Sequence, residues 1–353
     1  MKLLRRKSPP LLGIDISSSA VKVLALSRMA AQYRVESFGV APIPRGAIKD
    51  HDVKDVTAIV EAVRQAVSRA KTSLKHAAVS VSSSSVITQQ LQLESTLNDK
   101  EREAQLAFEA SRYIPYPMSE VYSDFQVLGP SATVPNHVDV LLVASRMEQV
   151  DVRSDILIEA QLQPRVMDVE CYALARASNL LRHQLPNEGM DRTIAVIDLG
   201  AHSTGITVLR NLETIYTREE TFGGSQLTEA IEQRYQLSFE EAGRAKKHGG
   251  LPNEYALDVL NPFREALIPL IRRSLQFFYS TSPYSSIDHI VLAGGGAFIP
   301  GLRDLIKQNI GVVSSIASPF AQMSIAPQVD VPSLMADAPA LMVCCGLAMR
   351  SFD

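Results

Sequence analysis

Tryptophan is absent from this chain and cysteine nearly so, with three residues in 353: Cys171 and the adjacent Cys344 and Cys345. An odd number without metal-ligand spacing builds neither a disulfide framework nor a thiolate metal site, and a reducing cytoplasm is the expected compartment. Charge of one sign is lacking too. The 35 basic and 38 acidic residues leave a net −3, with no basic run long enough for a nucleic-acid footprint. DNA and RNA are therefore not expected partners. Long apolar runs are scarce: the most apolar window, residues 338–349, is shorter than the roughly 20 residues a helix needs to cross a bilayer and is expected as a buried helix. Pro9 and Pro10 interrupt the basic start, and Asp15 falls inside the apolar stretch that follows, so a secretion signal is not expected. That start suggests no more than a short basic tail touching an anionic membrane surface.

What is present is enough apolar residue, 46%, for sizeable cores in two or more domains, and a repeated device. Residues 194–209, IAVIDLGAHSTGITVL, read as two short β-branched strands with a turn marked by Gly200 and Gly205. Asp198 stands where the first strand ends. A carboxylate beside small and hydroxyl residues, whose free N–H groups can line an anion, is a general way to hold phosphate. An ordinary hairpin with a turn aspartate fits the same residues. Residues 11–26, LLGIDISSSAVKVLAL, repeat the pattern with Asp15, then Ser17, Ser18 and Ser19, then a strand alternating from Val21. A strand over 33–42, a helix within 53–70 on the stripe Val56, Ile59, Val60, Val63 and Val67, and a strand over 77–82 complete a βββαβ run.

From residue 86 a βαββα block of about eighty residues reads as an insertion. It has strands over 87–93, 122–128 and 138–144, a helix opened by the Asn98–Glu101 signature, and a second helix over 150–162. Its YIPYP segment, residues 113–117, is either a rigid helix stop or an aromatic contact surface for an extended partner. A strand over 164–169 leads through Asp168 and Glu170 into a helix over 171–181; both carboxylates are candidates for positioning a water, and Glu170 is equally explained as a first-turn acid. Gly223 and Gly224 precede a helix whose N-terminus can receive an anion. Ser238 and Glu241 open the next helix, which closes on Lys246 and Lys247, placed there for a ligand or only to offset the helix dipole. Asn261-Pro262 is expected to open a long helix kinked at Pro269. Finally a strand ends at Ala293, followed by Gly294, Gly295 and Gly296 and by Pro300-Gly301 at a helix start. Three glycines let backbone lie against a flat ligand face or phosphates, with a spacing that is neither a P-loop nor a dinucleotide fingerprint.

Two aspartate hairpins and a late strand-GGG-helix, in this order, resemble the phosphate-1, phosphate-2 and adenosine motifs of the actin-like ATPase superfamily. The inserted block lies where the cell-division protein FtsA carries its 1C subdomain. GIDISSSAVK, YIPYP and the ending ALMVCCGLAMRSFD together resemble the PilM family, actin-like cytoplasmic proteins of type IV pilus assembly, over residues 11–353. The resemblance implies an α/β, actin-like fold of two RNase H-like half-domains around a nucleotide cleft, with an FtsA-like inserted 1C subdomain. Subdomain 1A would take 11–85, 165–190 and 336–353, subdomain 1C 86–164, subdomain 2A 191–222 and 283–335, and subdomain 2B 223–282. The implied cofactors are ATP or ADP with Mg. Asp15 and Asp198 would face the β- and γ-phosphates, mostly through Mg²⁺ and its waters. Ser17, Ser18 and Ser19, with Lys22, would form one phosphate turn, and Gly200, Ala201, His202, Ser203 and Thr204 the other. Gly223, Gly224, Lys246, Gly294, Gly295 and Gly296 would line the nucleoside side. Glu170 stands where relatives orient a water, with Asp168 its rival.

Ser17 and His202 replace glycines usual in those turns, and Gly243 replaces a glutamate that grips ribose in many relatives. Nucleotide binding with slow or negligible hydrolysis, at most a slow ATPase whose bound state acts as a signal, is therefore expected. The implied partner is the cytoplasmic N-terminal tail of the inner-membrane protein PilN, held between the inserted block and the first half-domain at the cytoplasmic face of the inner membrane. Through it the chain would link the alignment complex to the pilus motor ATPases and other assembly proteins. Two other readings stay open: an FtsA-like polymerising ATPase, though no amphipathic membrane helix stands at Phe352-Asp353, and a small-molecule kinase, though no second substrate site is visible.

Overall fold

The computed structural model describes residues 10–30 and 32–353. The basic start, residues 1–9, lies outside the described residues. Leu12–Ile16 (β1), Ala20–Met29 (β2) and Gln32–Pro42 (β3) form an antiparallel meander, as their alternating apolar residues require. Ile48–Lys49 (β4) and Asp52–Val53 (β5) make a miniature hairpin that the sequence pattern did not announce. Val56–Ala70 (α1) is capped by the Asp55 side chain, which accepts from the Ala58 N–H, and ends at Lys71 in the left-handed region. Its stripe of Ile59, Val60, Val63 and Ala66 packs on the sheet. His76–Val81 (β6) pairs in parallel beside β1.

The block that follows contains Val86–Glu94 (β7), Asp99–Ala110 (α2), Val121–Pro130 (β8), His137–Arg146 (β9) and Met147–Glu159 (α3). Its own sheet runs β7-β9-β8, and α2, opened by the Asn98–Glu101 capping box, covers it through Leu106 and Ala110. Helix α3 behaves differently: Ile156 and Leu157 enter the core beneath α1. Gln163–Val169 (β10) then completes the first sheet in parallel with β6. Glu170–Ser178 (α4) is shorter than the 171–181 span expected, because a 3-10 stretch, Asn179–Gln184, takes over.

Thr193–Leu199 (β11), Thr204–Arg210 (β12) and Glu213–Glu220 (β13) build a second meander. Strand β13 was not legible, because its run of Glu213, Arg218, Glu219 and Glu220 hides the alternation of an edge strand. Gly224–Tyr235 (α5), Phe239–His248 (α6) and Asn261–Thr281 (α7) follow, and α5, α6 and the start of α7 enclose a small core of Leu227, Ile231, Ala242, Leu260 and Phe263. Asn261-Pro262 opens α7 as expected, with Pro262 in the first turn, where its missing N–H leaves no intrahelical bond unmade, and a π-helical turn, Ala256–Leu260, leads into it. His289–Ala293 (β14) and Ser314–Ile316 (β15) pair in parallel on the far side of β11, with Leu302–Ile310 (α8) between them.

The two large sheets run β10-β6-β1-β2-β3, extended by Ser324–Ile325 (β16), and β13-β12-β11-β14-β15. Each is a three-stranded meander continued by two parallel strands, with the aspartate-bearing strand at its centre, so the fold is two RNase H-like halves in an α/β actin-like arrangement. Val331–Asp337 (α9), Met342–Met349 (α10) and the 3-10 turns joining and following them form one helical stretch of 22 residues, Val331–Phe352. By length and composition it could cross a membrane, unlike the shorter window read from sequence, but 61% of its apolar window is buried in the protein and it is a core helix. Helices α4 and α10 share one core with residues of both sheets. A Cβ on Gly346 would overlap the Ala173 carbonyl, so that helix crossing requires glycine.

Candidate functional site

Strands β1 and β11 end side by side in the cleft between the halves, and this brings the two aspartates together. Asp15 is 4% exposed, and its Oδ2 accepts from Lys22 Nζ at 2.7 Å. Burial opposes the charge on Lys22, but Asp15, with help from Asp198 and Cys344, outweighs it and raises the ammonium pKa. Among the described residues Asp198 has no such partner at contact distance. Burial, and then Asp15 and Glu219, push its pKa up to about 6 although Lys22 pulls the other way. Among the described residues no group of three or more His, Cys, Asp or Glu side chains could cage a metal. The donor set suits a divalent cation held through its own waters and through phosphate oxygens.

Ser17, Ser18 and Ser19 turn β1 into β2, with the Ser17 N–H and hydroxyl both given to the Ala20 carbonyl. The second turn is closed by the Gly200 N–H on the Ser203 carbonyl at 2.9 Å. Among the described residues, the N–H groups of Ser18, Ser19, Ala201, His202 and Ser203 have no hydrogen-bond acceptor, which leaves two opposed sets of free donors. His202 reaches across, its Nδ1 3.0 Å from Ser18 Oγ. Thr204 points away: its hydroxyl is buried and donates to the Phe222 carbonyl at 2.6 Å.

Gly223 and Gly224 are placed beside the second turn, but their N–H groups are already used. Gly224 N–H donates to the Gly200 carbonyl, Ser225 N–H to that of Ala201, and Gly223 N–H to Gln226 Oε1. A Cβ on Gly223 would lie 2.5 Å from the Ala201 oxygen, so this glycine lets α5 brace the turn. Lys246 Nζ donates to Gly224 O at 2.8 Å and Thr228 Oγ1 at 2.6 Å, and burial lowers its pKa to about 8. Lys247 pairs instead with Asp337 at 2.8 Å. Of the three glycines after β14, Gly294 has a positive φ of 81° and abuts Asp198 and Leu199, and Gly296 abuts the Leu199 side chain. Only at Gly295 is there open space for a ligand face.

Of the two candidate water-positioning carboxylates, the structure brings one into the cleft. Burial first, then Asp15 and Glu219, raise the Glu170 pKa to about 7, against His51 and Arg153. Asp168 instead accepts from Arg176 Nη1 at 2.8 Å and from the Val169 N–H, beside the C-terminal helix, and does not join the cluster. Sequence reading missed the Glu170 neighbours. His51 Nε2 stands 3.1 Å from Glu219 Oε1, a pair that spans the two halves. Arg45 makes a second span, to Glu229 at 2.7 Å and over the Phe239 ring. His51 sits in the short β4–β5 turn and Glu219 on the unannounced β13, so neither carries a sequence signal. Ile114 and Tyr116 help line a groove of about 340 Å³ between the inserted sheet and the β4–β5 hairpin, with Val86, Val121, Ala144 and Arg146.

The family model described as "Type IV pilus assembly protein PilM" matches residues 13–352. A solved PilM-PilN type IV pilus biogenesis complex superimposes with a TM-score of 0.83 at 29% identity, covering 98% of this chain and 99% of that one. EutJ from Carboxydothermus hydrogenoformans aligns over 98% of this chain and 93% of its own with a TM-score of 0.57 and 16% identity, and MreB5 of Spiroplasma citri bound to ADP over 96% and 95% with 0.51 and 14%; these show the fold alone. Ethanolamine utilization protein EutJ of Escherichia coli (strain K12) is 26% identical over 126 residues, 36% of this chain. The chain spans about two fifths of the length of that curated relative.

Proposed function

The chain belongs to the PilM family of type IV pilus assembly proteins, and from that premise we propose that it is a nucleotide-binding cytoplasmic scaffold which holds the N-terminal tail of PilN at the inner membrane. The observation that carries the proposal is the agreement, over almost the full length of both chains, with a PilM held in complex with PilN. Residues 86–164 act as the inserted unit, and the groove between it and the first half, walled by Ile114, Tyr116 and Val121, receives the tail. An extended peptide there meets apolar side chains and Arg146 at once, a combination suited to a segment with alternating apolar residues.

ATP or ADP is the proposed ligand of the cleft. The free N–H groups of both turns and Lys22 cradle the phosphates, while Gly295 and the Lys246 region face the nucleoside. A hydrated Mg²⁺ between Asp15 and Asp198 supplies charge neutralisation for the phosphates. Glu170, its pKa raised by burial to about 7, can accept a proton from water at neutral pH, but His202 crowds the second turn and opposes alignment of a phosphate there for attack. Hydrolysis is accordingly slow and the bound nucleotide serves as a state signal. Titration of AMPPNP with Mg²⁺ into the protein, alongside a phosphate-release assay with ATP, tests this: saturable one-to-one binding with little release is expected, and absent binding contradicts it.

A further inference from the structure

The two proposed sites, cleft and groove, share a wall. Glu219 on β13 pairs in the ladder with Gly205, next to the second phosphate turn, and its carboxylate meets side chains from both sites. Burial pushes its pKa up, but His51, 3.1 Å away, together with the nearby Ser203 and Ser84 side chains, outweighs this and holds it below the ordinary glutamate value. Ser203 belongs to the phosphate turn. His51 and Ser84 both line the groove.

His51 is held firmly in that position. Asp50 and His51 occupy the left-handed region, with φ of 51° and 66°, and a bulky non-glycine residue there costs about 1–2 kcal/mol unless its surroundings impose it. Those surroundings are present on both sides. Arg153 Nη2 donates to the His51 carbonyl at 3.3 Å and its Nη1 to Gln149, while Gln149 Nε2 donates to Asp52 Oδ1 at 2.9 Å, so the hairpin is tied to α3 below and to Glu219 across the cleft. The turn Ser83–Ser85 packs directly against β13.

We propose that Glu219 couples the two sites: phosphate bound at the Ser203 turn draws the Ser203 side chain to itself and sets a second negative charge beside the Glu219 carboxylate, and this shifts the pairing of Glu219 with His51 and the packing of the Ser83–Ser85 turn and so reshapes the groove. The inference rests on the functional reading above and adds the route by which nucleotide regulates the partner. Coupling of this kind is reciprocal, so the occupied groove alters nucleotide affinity by the same factor.

The test is a thermodynamic cycle on the full chain, with AMPPNP and Mg²⁺ as one ligand and a synthetic peptide of the PilN N-terminal tail from the same organism as the other. In the unmodified protein, nucleotide is expected to change the peptide Kd about fivefold or more. In Glu219→Gln and in His51→Gln the ratio of the peptide Kd values with and without nucleotide falls toward one, whatever the change in the peptide Kd itself, and His51→Lys, which keeps a cation against Glu219, retains most of that ratio. A ratio of one in the unmodified protein, or an undiminished ratio in both glutamine variants, overturns the proposal. Failure of the peptide to bind with or without nucleotide overturns the scaffold reading first and this proposal with it.

Discussion

The imidazole of His202 lies 3.0 Å from the Ser18 hydroxyl, so the turn after β1 and the turn after β11 touch directly across the cleft. A phosphate bound between them, as proposed, has to part them. A hydrogen bond of this kind is worth about 1 kcal/mol net, and His202→Gly also clears the ring from the turn. That variant is expected to bind AMPPNP about fivefold more tightly by calorimetric titration. Weaker binding instead would mean that the imidazole itself grips the phosphates.

Acidic pKa values in the cleft give stability a defined pH dependence. Asp198 and Glu170 hold their protons more tightly folded than unfolded, with pKa values near 6 and 7. Their contribution is fully present below about pH 4, the unfolded value, and is lost as pH rises through 6 and then 7. Asp198→Asn is therefore expected to raise stability at pH 7.5 by roughly 1–2 kcal/mol after allowance for screening, to change it little at pH 4, and to weaken nucleotide binding. Denaturant unfolding at the two pH values measures the first part, and no gain at pH 7.5 counts against the electrostatic account of the site.

The glycines after β14 separate packing from binding. At Gly294, a positive φ and immediate contact with Asp198 and Leu199 leave no room for a methyl group. Gly294→Ala is expected to cost at least about 2 kcal/mol in thermal or denaturant unfolding. Gly295→Ala meets open space and should leave stability within about 0.5–1 kcal/mol while weakening AMPPNP binding. Equal losses of stability in both would contradict this division.

Asp168 and Glu170, two residues apart, should likewise part company. Asp168→Asn breaks the 2.8 Å pair with Arg176 and is expected to lower stability without altering nucleotide affinity or ATP turnover. Glu170→Gln removes the carboxylate that faces Asp15 and Glu219 and is expected to abolish residual phosphate release with AMPPNP affinity retained. Loss of turnover in Asp168→Asn alone would reverse the assignment.

Much of the frame was legible because its signals are local. Strand alternation in 11–26 and 194–209, the capping residues Asn98 and Ser238, and the three glycines each act through near neighbours, and each appears where expected. What escaped depends on tertiary contact. Strand β13 is a charged edge whose Glu219 and Glu220 make sense only beside His51, Arg218 and Ser274, and His51 rides on a two-residue turn. Asp168 and Glu170 could not be told apart by sequence, since strand alternation puts positions two apart on the same side; only the structure shows that β10 ends at Val169, that Glu170 opens α4 and that Asp168 is held by Arg176. The three glycines are expected from sequence to admit a ligand face, yet Gly294 and Gly296 are packed against Asp198 and Leu199 and only Gly295 is open, a division that depends on tertiary contact.

The central claim is that one protein holds a nucleotide in its cleft and a PilN tail in its groove. Calorimetric titration of the synthetic PilN N-terminal peptide into the full chain, repeated with Tyr116→Ala and Arg146→Ala, tests it most directly. The account predicts saturable one-to-one binding that weakens about tenfold or more in the groove variants, whose AMPPNP affinity stays unchanged. No peptide binding in the presence of AMPPNP, of ADP or of neither, or equal binding by the groove variants, would contradict it.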